Sequence, residues 1–235
     1  MMISNFTLRC AVKKTLLMIA RIIDFPRIHP LHLLVLRANE RSVAYIENNM
    51  PNAIGFDTEK EILAHCLNLA DPNGYFLGFG IYKGGTIRYM AKVKPHIQFH
   101  GFDSFEGLPE QWSGYSQPKG AFSTGGRMPA VPSNVTLHKG WFADVVPLWL
   151  ASNSGPVSFA HIDCDIYSST VEILKNLASR LQPGTVILFD EYLSYPNWEQ
   201  HEHKAWQEFV VFHRITYDYI AFSHEQVAVR ITSMG

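Results

Sequence analysis

Residues 157–192 read VSFAHIDCDIYSSTVEILKNLASRLQPGTVILFDEY. Val157–Ile162 and Thr185–Phe189 are short, unbroken apolar runs. Between them Ser168–Leu181 carries apolar residues at helical spacing, with Val171, Ile173, Leu174, Leu177, Ala178 and Leu181 on its inner side. Pro183-Gly184 turns the chain into the second run. A strand, a helix and a strand in that order make parallel neighbours, because parallel strands need a crossover of about a dozen residues. Strands that are apolar throughout belong in a sheet covered on both faces.

Working outward, the same alternation recurs. Tyr75–Phe79, Ile97–Gly101 and Val135–His138 read as strands, Gly84–Val93 and Ala143–Ala151 as helices. Asp57 or Thr58 can cap a helix running to Leu69, with Glu61 placed for a capping box. After a helix at His203–His213, the strands Tyr219–Phe222 and Val227–Ile231 have no helix between them, so one of them enters antiparallel. The expectation is an α/β domain of seven strands, mostly parallel, with helices on both faces and ligands at the carboxyl ends of the strands. Residues 103–134, rich in Gly, Pro and Ser, are too long for a simple connection and read as a substrate-facing lid or specificity loop.

The 235 residues are 47% hydrophobic and 17% charged, with a formal net charge of −1. That is a globular composition without the basic field a nucleic acid would need. Cys10, Cys66 and Cys164 form no C-x-x-C pair, which argues against a disulfide framework or structural zinc and for a reducing, cytoplasmic setting. Residues 51–235 are the expected domain and 1–50 a helical extension. Within the extension, residues 7–25 mix Arg9, Lys13, Lys14 and Arg21 with apolar residues, and the uncharged run Leu16–Ala20 is too short to span a bilayer. The segment is expected to pack on the domain or on a second subunit, making a homodimer or higher homo-oligomer. Contact with a membrane surface is the alternative.

Four constellations carry chemistry. Phe76–Thr86, FLGFGIYKGGT, is a strand, a glycine-rich turn and a helix start, which suits an anionic group; a tight turn without a ligand is the plainer reading. Asp103 follows the second strand, about twenty residues past that turn, where a carboxylate can accept both hydroxyl hydrogens of a ribose. Asp163 follows the fourth strand, and Asp190 and Glu191 follow the fifth. Neighbouring strand ends bring these three carboxylates together, where they repel unless a hard cation such as Mg²⁺ neutralises them. Asp165 and Glu191 could instead cap a helix or a turn. His201 and Glu202 read as helix-start residues, with a substrate-side role as the alternative.

The run HIDCDIYSST…LQPGTVILFDEY, with FGIYKGG, GFDSFEGLP and GWFADVVP before it, resembles the macrocin O-methyltransferase-like family of class I S-adenosylmethionine-dependent methyltransferases over residues 55–215. The resemblance implies a Rossmann-like domain. It implies that Phe79, Gly80 and the Lys83-Gly84-Gly85 turn line the methionine part of the cofactor. Asp103 would hold the ribose beside Ser104 and Phe105, and Trp141 and Phe142 would flank the adenine. Asp163, Asp190 and Glu191 match the family's metal positions, with Asp163 also the expected base. The acceptor it implies is a hydroxyl of a sugar or glycosylated small molecule. Two departures stand out. Gly78 replaces an acidic residue usual near the methionine amine, and Glu191 replaces a second aspartate. Two competing readings are a glycosyltransferase built on the D-x-D at 163–165 and a non-catalytic assembly or membrane-associated module.

Overall fold

The structure is a computed structural model and describes residues 13–14 and 29–235. The amphipathic segment expected at residues 7–25 lies outside the described residues apart from Lys13 and Lys14. In chain order the elements are α1 (Pro30–Asn49), β1 (Ile54–Gly55), α2 (Glu59–Leu69), β2 (Tyr75–Phe79), α3 (Gly85–Val93), β3 (Phe99–Asp103), β4 (Val135–Lys139), α4 (Phe142–Ser152), β5 (Val157–Ile162), α5 (Tyr167–Leu177), β6 (Val186–Phe189), α6 (Glu202–His213), β7 (Thr216–Phe222) and β8 (Val227–Ser233). They build one eight-stranded sheet in the order β1-β7-β8-β6-β5-β2-β3-β4.

The seven expected strands are all present. The eighth, β1, pairs parallel with β7 through Ile54 and Gly55; two exposed residues carry no apolar pattern that a sequence could reveal. Only β8 runs antiparallel, between β6 and β7, because a short turn, not a helix, joins the last two strands. The expected helix 168–181 is α-helical over Tyr167–Leu177 and tightens to a 3₁₀ turn at Ala178–Arg180. Thr58 caps α2, accepting from the Glu61 amide at 3.3 Å, while its hydroxyl donates to the Glu61 carboxylate at 2.9 Å.

Every residue of β5 and β6 is buried. Phe76, Leu77, Phe79, Phe159, Ile162 and Phe189 are at most 1% exposed, and each such side chain contributes roughly 1.5–3 kcal/mol through burial. Helix α1 is fastened to the domain: Ser42 Oγ accepts from the Ser194 amide at 2.8 Å, and the Tyr45 and Tyr219 hydroxyls meet at 2.7 Å. Among the described residues no helix is long and apolar enough to cross a membrane.

Candidate functional site

Strand β2 pairs with β3 on one side and β5 on the other, so the strand order reverses there, and ligands in such sheets bind beyond the carboxyl ends at that point. Three backbone bonds tie the strand tips together: Gly80 N to Phe102 O at 3.1 Å, Asp163 N to Phe79 O at 3.0 Å, and Asp190 N to Ile162 O at 2.9 Å. Above them opens a crevice of about 560 Å³ whose wall includes Gly80, Asp103, Trp141, Asp163, Asp165 and Glu191.

The glycine turn is shaped chiefly by the protein's own backbone. Gly80 has φ +81°, and a Cβ there would lie 1.6 Å from the Asp163 carbonyl oxygen. The close approach that requires glycine is thus to β5. Gly85 is different: the space beside its Cα is open. It begins α3, whose start has no side-chain cap, so its first-turn amides are free to meet an anionic group. A side chain at position 78 would point at Met90, Ile81 and Ile87.

Asp103 stands on the crevice wall but is already engaged. Its Oδ2 accepts from the Ile81 and Tyr82 amides, each at 2.7 Å, and its Oδ1 from the Phe105 amide at 2.6 Å. A carboxylate has about four lone-pair sites, so these three bonds leave one for a ribose hydroxyl. Its main work here is to hold the turn. Of the other expected cofactor residues, Lys83, Gly85, Ser104, Trp141 and Phe142 line the crevice. Phe79, Gly84 and Phe105 do not. Phe79 stacks on Phe102 at 5.1 Å and meets Phe142 edge-on at 5.7 Å. Phe105 is 0% exposed. Gly84 faces Arg88 and Pro129. Apolar rings next to the strand tips gain more from burial than from the open cleft.

On the opposite side, Asp163, Asp165 and Glu191 bring carboxylate oxygens within 4.8 Å of one another. Asp190, expected in this set, stands beside the trio but off the crevice wall: its Oδ1 lies 3.3 Å from His161 Nε2 on β5. Burial pushes the Asp190 carboxyl up, but hydrogen bonding and proximity to His161 outweigh it and hold the group below the usual carboxylate range. The trio moves the other way. Burial, then the charges of Asp190 and Asp165, raises Asp163; burial, then Asp190 and Asp103, pushes Asp165 up to about 7; burial, then Asp190, Asp165 and Asp163, raises Glu191. Asp165 takes the place expected of Asp190 because it sits at φ +67°, a left-handed turn that swings its side chain back over the strand tips; aspartate tolerates this better than most residues. Glu191 Oε2 is buried with no hydrogen-bond partner. An oxygen-only donor set with one orphaned buried oxygen fits a hard divalent cation.

Sequence reasoning underrated Glu202. It is 0% exposed, and its Oε2 accepts from the Glu191 amide at 3.0 Å. The residue lies behind the trio and fixes where Glu191 stands. The segment expected to be a lid, residues 103–134, is more ordered than its composition suggests. Trp112 and Gln117 exchange backbone bonds of 2.9 and 3.2 Å. Ser113 Oγ lies 3.1 Å from His201 Nε2, and Ser168 Oγ donates to Glu110 at 2.6 Å. His201 therefore engages the lid and is absent from the crevice wall.

Residues 77–192 match the family model described as a methyltransferase domain. Over these residues the chain carries the sequence pattern of a methyltransferase domain. It is 28% identical over 161 residues to the 8-demethyl-8-(2,3-dimethoxy-α-L-rhamnosyl)-tetracenomycin-C 4′-O-methyltransferase of Streptomyces olivaceus, a match spanning 55% of this chain and 58% of that relative. The crystal structure of CalS11, a calicheamicin methyltransferase, superposes with a TM-score of 0.58 at 19% identity, covering 85% of this chain and 91% of that one. The O-methyltransferase NovP gives 0.56 at 19% identity, covering 74% and 79%. At such identity these structures speak for the fold: that of class I methyltransferases.

Proposed function

We propose that this protein is an S-adenosylmethionine-dependent O-methyltransferase acting on a hydroxyl of a sugar or glycosylated small molecule, assisted by Mg²⁺ or a similar divalent cation. One observation carries the reading. A helix start with free amides and an acidic trio with an orphaned oxygen face each other across one crevice at the strand reversal. The donor's carboxylate suits the α3 amides and its adenine the Trp141–Phe142 edge. Asp163, Asp165 and Glu191 would hold the cation. The glycoside acceptor is supported by the Streptomyces relative, whose name gives a rhamnosyl-tetracenomycin as substrate.

S-adenosylmethionine, when bound, supplies an electrophilic methyl group, and the cation would supply positive charge that acidifies a nearby hydroxyl. The protein does the rest. Asp163 stands at the tip of β5 and, kept ionised by the cation it would help to hold, would take the proton of the acceptor hydroxyl as that oxygen bonds to the methyl carbon and the sulfur–methyl bond breaks, releasing S-adenosylhomocysteine. The tied strand tips hold Asp163 in register with the glycine turn, so that acceptor and donor meet on one axis. The lid, residues 103–134, flanks the crevice through Trp112 and Tyr115, and its closing would exclude water. The D-x-D glycosyltransferase reading is disfavoured by the methyltransferase-domain match, and the non-catalytic reading by an open crevice that carries both halves of the chemistry.

Calorimetric titration with S-adenosylhomocysteine, with and without Mg²⁺, tests the donor site. Asp163→Ala should lower methyl transfer by about 10²–10⁴-fold while S-adenosylhomocysteine still binds. Undiminished turnover in that variant removes Asp163 from the mechanism, and a parent protein that binds no S-adenosylhomocysteine removes the whole reading.

A further inference from the structure

Glu225 lies in the turn between β7 and β8, outside every motif described so far, yet its side chain reaches the crevice wall. Its main chain is fixed, since the Glu225 carbonyl accepts from the Tyr192 amide at 2.9 Å and the Leu193 amide at 3.1 Å. Its carboxylate accepts a hydrogen bond from the Tyr115 hydroxyl, which comes from the lid. The Tyr115 ring is held in turn, stacked on Tyr195 at 5.2 Å and edge-on to Trp112 at 4.6 Å. Tyr195 itself donates to the Glu191 carbonyl at 3.2 Å. A chain of contacts thus runs from Glu225 through the lid to the acidic trio.

Burial, the bond to Glu225 and the charges of Glu225, Glu191 and Asp165 all push the Tyr115 phenol up, so it stays a donor. One donor and a marginal contact with His224 Nδ1 at 3.5 Å leave most of the lone-pair capacity of the Glu225 carboxylate open to the crevice. An acceptor-only carboxylate beside aromatic rings favours a neutral molecule rich in hydroxyl donors over an anion placed against it.

We infer that Glu225 is a specificity-determining residue: its carboxylate receives a second hydroxyl of an uncharged, polyhydroxylated acceptor, and Tyr115 fixes that carboxylate so that recognition and lid position depend on each other. The acceptor this site favours is therefore a neutral glycoside over a nucleoside-diphosphate sugar. This role presupposes the O-methyltransferase activity proposed for the site.

The test uses the full-length protein with Mg²⁺ and two probes, an aryl 6-deoxyhexoside and a nucleoside-diphosphate 6-deoxyhexose. The parent should favour the neutral glycoside by about tenfold or more in kcat/KM. Glu225→Gln should raise KM for that glycoside by about tenfold, the scale of a lost charge-assisted hydrogen bond, and narrow the preference between the probes. Tyr115→Phe, which removes only the phenolic donor, should do the same to a smaller extent. A KM rise under threefold in Glu225→Gln, or an unchanged preference between the probes, overturns the role of Glu225 alone. A parent that binds no S-adenosylhomocysteine overturns the methyltransferase reading and this inference with it.

Discussion

On the β2–β3 side the crevice wall is made largely of main chain; on the β5–β6 side it is made of charge. The first side is settled by the protein's own bonds. Gly80 presses against the Asp163 carbonyl, and Asp103 accepts from three backbone amides. Substitutions there should be felt as lost stability. The second side gathers buried carboxylates whose repulsion opposes folding. Substitutions there should be felt in chemistry, and some should stabilise the apoprotein. Natural proteins tolerate such local conflict at functional sites, offset by consistency elsewhere.

The strongest attempt to break the contrast is Gly80→Ala. A methyl group at that position cannot coexist with an oxygen at 1.6 Å, and φ +81° is unfavourable for alanine. The strand tips would have to part, at a cost of roughly 3–5 kcal/mol, the upper range for single substitutions. Urea denaturation measures it, and a loss below about 1 kcal/mol would mean that the turn is not locked by β5.

A middle-sized effect of opposite sign is expected from Asp165→Asn. Asparagine keeps the left-handed turn and removes one of the repelling charges. Without metal the midpoint of thermal unfolding should rise by about 2–4 °C, the equivalent of roughly 1 kcal/mol for a chain of this size. Added Mg²⁺ should stabilise the parent more than the variant, because binding to the folded state alone raises stability with ligand concentration. Equal Mg²⁺ responses in the two proteins would argue against Asp165 as a ligand.

A third effect, which appears only on acidification, belongs to the packing around α6. Burial lowers His203 to about 4, and both its ring nitrogens are buried without partners. Its folded-state value lies below the unfolded one near 6.5, so the unfolded chain binds the extra proton first. Its contribution is therefore complete above pH 6.5 and is lost as pH falls from about 6.5 towards 4. His203→Phe should make stability fall less steeply across that window, as read from denaturation curves at several pH values. An unchanged slope would show that His203 is not held neutral by the fold.

Much of the architecture was legible because it rests on local rules. Unbroken apolar runs, the helical spacing at 168–181 and the Thr58–Glu61 cap are written in neighbouring residues. Strand-end acids follow directly from the strands, which is why Asp103, Asp163 and Glu191 could be named as site residues; the same rule also named Asp190, which is off the crevice wall and meets His161 instead. Phe79 and Phe105 could not be told from cofactor contacts, because a ring beside a strand tip can face either the core or the cleft. The eighth strand escaped because two residues make no pattern.

By itself, then, the sequence determined which segments become strands and helices and which acids crown the parallel strands, since burial and backbone hydrogen bonding act over a few residues at a time. The tertiary structure alone decided that Asp165 joins Asp163 and Glu191 while Asp190 turns to His161, that Glu202 braces the site from behind, and that Tyr115 meets Glu225 across 110 residues of chain. Those choices depend on where a side chain points after its strand has ended, and that direction is set by packing and charge between segments the chain order does not bring together.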